Sequence, residues 1–262
     1  MNRIDAKFKE LKAKNEKAMI SFITAGDPDF ETTEELVYSM EKAGADIIEL
    51  GVPYSDPIAD GPTIQKSSAR SLKHGTTILK IMNCVKSIRS NTEVPLVYLV
   101  YYNSVFKYGI EKFISQCREV GIDGIIIPDL PIEERKDILK ITDKYEVALI
   151  PLIAPTSKER IKKIVSNASG FIYCVSSNGV TGARSEISTN MDEYMGIVSN
   201  CTDIPKAIGF GISNAKMAEN LKKYCDGIII GSAIVKKVDE IEDREEMLEN
   251  VKAFVKSVKA VL

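Results

Sequence analysis

Glu49 and Asp60 are the residues in this sequence whose type and setting point most directly to chemistry. Glu49 lies in Ile47-Ile48-Glu49-Leu50-Gly51, one or two residues from the end of an apolar run that reads as a strand. A carboxylate there either opens onto the mouth of whatever the strands enclose or costs several kcal/mol of desolvation. A structural salt bridge would explain Glu49 taken alone, but the residues after it favour chemistry. Val52-Pro53-Tyr54-Ser55-Asp56-Pro57-Ile58-Ala59-Asp60-Gly61-Pro62 carries three prolines, and a stiffened surface loop holds its carboxylates in place. Such a loop can return Asp60 over the mouth to face Glu49. Two carboxylates in unlike surroundings divide acid and base duties: the one in an apolar pocket keeps its proton near neutral pH while the solvated one stays ionised. Asp56, between them, could equally cap a turn or contact a partner.

A second set of residues is rich in glycine. Asn178-Gly179-Val180-Thr181-Gly182, Gly209-Phe210-Gly211-Ile212-Ser213 and Gly231-Ser232 each follow a late apolar run. Backbone N–H groups in such loops, with the N-terminus of a short helix, bind phosphate without needing Lys or Arg. Ser232 would add a hydroxyl, and residues 232–236 could form the short helix. One Gly-x-Gly alone is weak evidence, because glycines also serve tight turns. Between the carboxylates and the glycines, Phe22, Leu99, Tyr101, Tyr173 and Phe210 could line a flat pocket. Core packing explains any one of them, but together they suit an aromatic substrate with a phosphate tail.

Composition removes other chemistries. The chain has 262 residues, 35 Lys+Arg against 37 Asp+Glu, one histidine and five cysteines. A single His74 excludes a histidine pair or a three-histidine metal cage, and no metal site is expected. Cys84, Cys117, Cys174, Cys201 and Cys225 are odd in number and contain no Cys-x-x-Cys, so they read as buried reduced thiols. The near-neutral balance argues against nucleic acid as a partner. No apolar run approaches the roughly 18 residues of a membrane span, and residues 1–17 form a charged amphipathic helix without a signal core. A cytoplasmic location is expected.

The elements that must position these residues are short Ile- and Val-rich runs alternating with helical patterns. Strands are predicted at 19–24, 46–51, 95–100, 124–127, 148–153, 171–175, 204–209 and 227–231. Amphipathic helices are predicted at 32–43, 77–90, 110–120, 133–145, 158–167, 191–200, 214–224 and 241–262. Leu36, Val37 and Met40 share a face, and Gly44 then stops the helix. Eight strand–helix repeats describe an α/β fold, a single (β/α)8 TIM barrel over residues 1–262 with an extra N-terminal helix at 1–17. An open doubly wound sheet, which usually has fewer strands, is the alternative. Two connections, 52–75 after the second strand and 176–190 after the sixth, are too long for simple turns. In a barrel they emerge on the C-terminal face, where active sites sit.

Several segments resemble the alpha subunit family of tryptophan synthase, nearly end to end. They are Phe22-Ile23-Thr24-Ala25-Gly26-Asp27-Pro28, Glu49 through Asp60-Gly61-Pro62-Thr63-Ile64-Gln65, Tyr102-Asn103, Pro128-Asp129-Leu130-Pro131, Gly179-Val180-Thr181-Gly182, Gly209-Phe210-Gly211-Ile212 and Gly231-Ser232-Ala233-Ile234-Val235. The stretch from Glu49 to Gln65 is the most specific. The resemblance implies a lyase of tryptophan biosynthesis that cleaves indole-3-glycerol phosphate by a retro-aldol reaction to indole and D-glyceraldehyde 3-phosphate, with no cofactor in this chain. It implies that Glu49 is the principal acid–base group and that Asp60 interacts with the indole nitrogen. Gly182, Gly211, Gly231 and Ser232 would hold the phosphate, and Phe22, Leu99, Tyr173 and Phe210 would flank the indole. The loop with Thr181 would close over the substrate and meet Asp60. Pro53, Asp56 and Pro57 would face a pyridoxal-phosphate (PLP) beta subunit that receives indole in an alpha2beta2 heterotetramer. Tyr54 departs from the family's frequent Phe, which could alter partner fit.

Two other readings are weighed against this one. A Schiff-base aldolase needs a lysine near a strand's C-terminal end, and Lys206 stands near the opposite end of its strand. A noncatalytic phosphate-binding barrel that activates a partner enzyme has no use for a paired acid and base. His74, just before Gly75, reads as a helix-end residue.

Overall fold

A computed structural model of the chain describes residues 2–176, 190–209 and 211–262. Its centre is a sheet of nine parallel strands: β1 Ala18–Thr24, β2 Ile47–Gly51, β3 Leu96–Leu99, β4 Gly124–Ile126, β5 Ala148–Ile150, β6 Leu152–Ile153, β7 Ile172–Val175, β8 Lys206–Gly209 and β9 Gly227–Ile230. The order β5-β4-β3-β2-β1-β9-β8-β7-β6 leaves β5 and β6 at the two ends. These are consecutive in the chain and separated by Pro151 alone, so the sheet is a nearly closed barrel. The eight predicted strands thus become nine. The predicted strand 148–153 is cut at Pro151, which has no N–H for the ladder. Its first half pairs with β4 and its second with β7, while the Pro151 carbonyl accepts from the Tyr173 N–H at 3.0 Å.

Alternation along the strands sorts side chains between two cores. Ala18, Ile20, Ile47, Val97, Ile126, Ile150, Tyr173, Ala207 and Ile229 pack inside the barrel. Met19, Ile23, Ile48, Leu50, Leu96, Ile125 and Ile228 pack outward under the helices. This is why the runs read as apolar on both faces. The N-terminal helix α1, Arg3–Lys14, buries Ile4, Phe8 and Leu11, which join the interior cluster, with Phe8 and Phe171 ring centroids 5.8 Å apart. Each such side chain contributes about 1.5–3 kcal/mol of burial, and α1 therefore plugs the barrel rather than decorating it.

The helices that follow are α2 Phe30–Lys42, α3 Pro62–Lys73, α4 Ile78–Arg89, α5 Tyr102–Tyr108, α6 Ile110–Val120, α7 Arg135–Lys144, α8 Ile161–Val165, α9 Met191–Cys201, α10 Ala215–Leu221, α11 Ser232–Glu240 and α12 Arg244–Lys259. Side-chain caps start several of them, such as Asp29 accepting from the Thr32 N–H at 2.7 Å and Asn214 from Met217 at 2.9 Å. α3 and α5 lie outside the amphipathic ranges predicted from the sequence. Half of the connection 52–75 is α3, which ends at His74 as read from the sequence; its bounds are not legible because its buried face is Ile64, Ser67, Ser68 and Ser71, and a serine face carries no hydrophobic period. The short α5 is not predicted at all. Its first N–H, at Tyr102, donates to Asp129 at 2.8 Å, a cap supplied from beyond β4. Among the described residues no helix is long and apolar enough to cross a membrane.

Candidate active site

Glu49 stands in β2 between Phe22 of β1 and Val97 of β3 in the strand register. It is 1% exposed, and among the described residues its Oε2 has no hydrogen-bond partner. Removal from water penalises the charged form, and the nearby Asp60 adds to that, so its carboxyl is pushed up to about 8. A group so placed is protonated at neutral pH and lies in the acid-donating state.

Asp60 comes back over the same cavity on the connection between β2 and α3. Burial raises its carboxyl to about 6, with a hydrogen bond from Tyr101 pulling the other way. The two acids are thereby held apart in proton affinity: near pH 7 Asp60 is mostly ionised and Glu49 mostly not. Tyr101 is the hinge of this arrangement. Its hydroxyl accepts the Ala59 N–H at 3.0 Å and donates to Asp60. Its ring stacks on Tyr54 with centroids 4.9 Å apart. Tyr54 in turn accepts from Asn103 Nδ2 at 3.2 Å, and the Asp60 carbonyl accepts from Gln65 Nε2 at 2.7 Å.

Glu49 and Asp60 share a cavity whose walls include Phe22, Leu99, Tyr173, Gly211, Gly231 and Ser232. Tyr101, expected among the pocket walls, is not one of them. Its hydroxyl is committed to the Asp60 loop, so it acts on the site through Asp60. Ile64, Leu152 and Ile212 also line the cavity; Ile64 and Ile212 fall inside the segments that carry the resemblance, but residue type and spacing alone do not set the three apart from ordinary core residues. Gly182, Thr181 and Phe210 lie outside the described residues.

Space, more than backbone freedom, accounts for two of the glycines. A Cβ on Gly209 would stand 2.7 Å from the Tyr173 hydroxyl, and one on Gly51 would stand 2.6 Å from the Phe22 ring. Both aromatic walls occupy space that a side chain on the neighbouring strand would fill. Gly211 differs, with φ +79°, a left-handed conformation that favours glycine. Gly231 precedes α11, whose first residue is Ser232. This helix is longer than the expected 232–236, and its N-terminus with its unpaired N–H groups is at the cavity wall.

The remaining candidates are distributed over the surface and core. Pro53 is buried and Pro57 partly so, while Asp56 is exposed. Ile58 on the same loop is 73% exposed and Phe106 on α5 is 62% exposed. His74 caps the C-terminus of α3, and its Nδ1 lies 2.8 Å from the Pro28 carbonyl. Lys206 is the first residue of β8, and among the described residues no lysine lines the cavity. Cys84, Cys117, Cys174 and Cys225 are buried and Cys201 partly so. Burial pushes the Cys84 and Cys225 thiols up to about 12, far from a reactive thiolate.

Comparison with known proteins gives one consistent result. Residues 8–262 match the family described as tryptophan synthase alpha chain. The tryptophan synthase alpha chain of Thermoanaerobacter sp. (strain X514) is 62% identical over 262 residues, covering 100% of both chains. A crystal structure of tryptophan synthase subunit alpha from Legionella pneumophila superposes with a TM-score of 0.89 at 32% identity, covering 100% of this chain and 98% of that one. A structure of Mycobacterium tuberculosis tryptophan synthase gives 0.90 at 32% identity, covering 99% and 98%.

Proposed function

The chain belongs to the tryptophan synthase alpha chain family, lyases that cleave indole-3-glycerol phosphate and work with a beta subunit, and from that premise we propose that Glu49 and Asp60 divide the acid–base work of the cleavage. The observation that carries this reading is one cavity that holds both carboxyls, Glu49 buried with an oxygen unpartnered among the described residues and Asp60 returned by its loop. Burial pushes Glu49 up to about 8 and Asp60 to about 6. Glu49 as the acid gives its proton to indole C3, which makes the ring a leaving group. The positive charge that develops on the ring nitrogen is met by the Asp60 carboxylate. Glu49, now a carboxylate, takes the proton from the side-chain hydroxyl as the carbon–carbon bond breaks. The bonding pair returns to the ring, the hydroxyl carbon becomes the aldehyde, and Glu49 is again protonated. The hydroxyl proton is thus exchanged for the new C3–H through one side chain, with no net proton uptake and no role for a metal or organic cofactor.

Phe22, Leu99 and Tyr173 flank the indole in this account, together with Phe210. Gly211, Gly231 and Ser232 hold the phosphate at the N-terminus of α11, with Gly182 completing the cradle and Thr181 the closure. Residues drawn from position 22 to 232 serve one cavity, which supports reading 1–262 as a single catalytic unit. The loop with Pro53, Asp56 and Pro57 faces the beta subunit. What supports this surface is the stiffened loop itself, which carries the exposed Asp56 and Ile58 beside the cavity mouth. The assembly is an alpha2beta2 heterotetramer in the cytoplasm with pyridoxal phosphate in the beta subunit.

Two measurements test the reading. The purified chain should release indole and glyceraldehyde 3-phosphate in equal amounts from indole-3-glycerol phosphate, alone and faster with a beta subunit. A noncatalytic phosphate-binding barrel would release none under either condition. Gly211→Val, which puts a branched side chain at φ +79°, should weaken binding of an indole-3-alkyl phosphate about tenfold. Unchanged affinity would remove Gly211 from the phosphate site.

A further inference from the structure

Beside the cavity, one guanidinium joins three of the connections that surround it. Arg70 lies in α3, ten residues after Asp60. Its Nε and Nη2 each bond Asp27 at 2.8 Å, and its Nη1 bonds Asp239. Asp27, buried, is on the connection between β1 and α2. Asp239 is in the last turn of α11 at an exposed position. Lys66, one turn before Arg70, also reaches Asp239 at 3.3 Å. Two serines fasten the same helix to the end of β1: Ser67 bonds the Thr24 hydroxyl at 2.6 Å, and Ser71 donates to the Ala25 carbonyl at 2.6 Å.

The two helices that Arg70 joins are the ones that begin at the site. α3 starts two residues after Asp60, and α11 starts at Ser232. Their seam is itself part of the cavity wall, with Ile64 of α3 and Val235 of α11 packed in one cluster with Phe22. A shift of α3 against α11 would therefore change the separation between Asp60 and the phosphate end and reshape the wall between them. A lysine could not replace this tie, because only the planar fork grips Asp27 with two nitrogens and still presents a third to Asp239.

We propose that Arg70 is a positioning residue that fixes α3 against α11 and so sets the distance between the Asp60 carboxylate and the phosphate end of the cavity. The inference rests on the assignment of those two ends made above. Its consequence is that the chain recognises ring and phosphate at a set separation. A ligand carrying both gains from that preorganisation, whereas a ligand carrying one end does not.

The test compares the wild-type chain with Asp239→Ala, Arg70→Lys and Arg70→Met. For each, binding is measured for an indole-3-alkyl phosphate with a three-carbon tail and for inorganic phosphate alone, together with kcat and KM for indole-3-glycerol phosphate. Arg70→Met leaves Asp27 buried without its partner and could fail to fold. Asp239→Ala removes the acceptor that Arg70 and Lys66 share on α11 and leaves the Asp27 pair in place, so it decides the question by itself. Asp239→Ala and Arg70→Met should weaken the two-ended ligand about tenfold, raise KM and lower kcat, while affinity for inorganic phosphate stays within about twofold. Arg70→Lys, which keeps the charge but not the fork, should recover only part of the loss seen with Arg70→Met. Equal affinity of wild type and Asp239→Ala for the two-ended ligand would overturn the proposal, and so would an equal loss for inorganic phosphate, which would mean a general disturbance of the fold. If the wild-type chain released no indole, the reading of the reaction would fail separately, and the two binding measurements would still decide whether Arg70 sets the spacing.

Discussion

Glu49→Gln is expected to lower the rate of indole formation by about a thousandfold or more, within the range of removing a general acid–base group. Glutamine keeps the size and one hydrogen-bonding oxygen of the side chain but has no proton to give to C3 and no carboxylate to take one back. Both halves of the proton transfer are lost together. Binding of an indole-3-alkyl phosphate should stay within about threefold, because a ground-state ligand does not draw on the transfer. Turnover of the variant at a tenth of the wild-type rate would refute the role. The same variant also reports on burial. The carboxyl stands at 4.5 when free and at about 8 in the fold, so the folded chain binds the proton more tightly than the unfolded one. Stability is then fully present below pH 4.5 and is lost as pH rises to about 8. The Gln variant lacks this loss, and its thermal midpoint should overtake that of the wild type toward pH 8. A site that costs stability in this way is expected of a functional carboxyl.

Asp60→Asn is expected to lower kcat/KM by about a hundredfold, the scale of removing one preorganised electrostatic partner of a developing charge. Asparagine can still accept the Tyr101 hydroxyl bond and so keeps the loop in place. It cannot offset positive charge on the ring nitrogen. Crystals or spectra should show the cavity unchanged, and affinity for the ground-state analogue should fall much less than the rate. A variant with wild-type kcat/KM would show that the charge on Asp60 is not used.

The barrel and its two acids were legible because each leaves a local signature. Glu49 is conspicuous as a charge near the end of an apolar run, and the prolines between it and Asp60 mark a loop held in shape. The parts that were not legible depend on partners distant in sequence. Pro151 divides one strand into two because the strand must turn from β4 to β7, and a proline in an apolar run does not say which neighbour it will face. α3 shows in the sequence only at its end, His74, because it buries serines, and Ser67 and Ser71 pair with Thr24 and Ala25 rather than with an apolar surface. α5 begins where Asp129 supplies its cap. Tyr101 looks like a pocket wall from its place after β3, but its hydroxyl is drawn to Ala59 and Asp60 by a loop whose path no spacing records. Gly209 reads as a phosphate-loop glycine and Gly51 as the end of a strand, whereas the structure makes them the gaps that seat Tyr173 and Phe22.

The central claim is that Glu49 enters the reaction protonated and Asp60 enters it ionised. The dependence of kcat/KM on pH, followed between about pH 5 and 10, tests it most directly. The substrate phosphate itself titrates at about pH 6 and overlaps the limb due to Asp60, so the alkaline limb decides. kcat/KM should fall as pH rises through about 8, where Glu49 loses its proton. A kcat/KM that stays level or continues to rise across that range would mean that Glu49 enters the reaction as the carboxylate, and would contradict it.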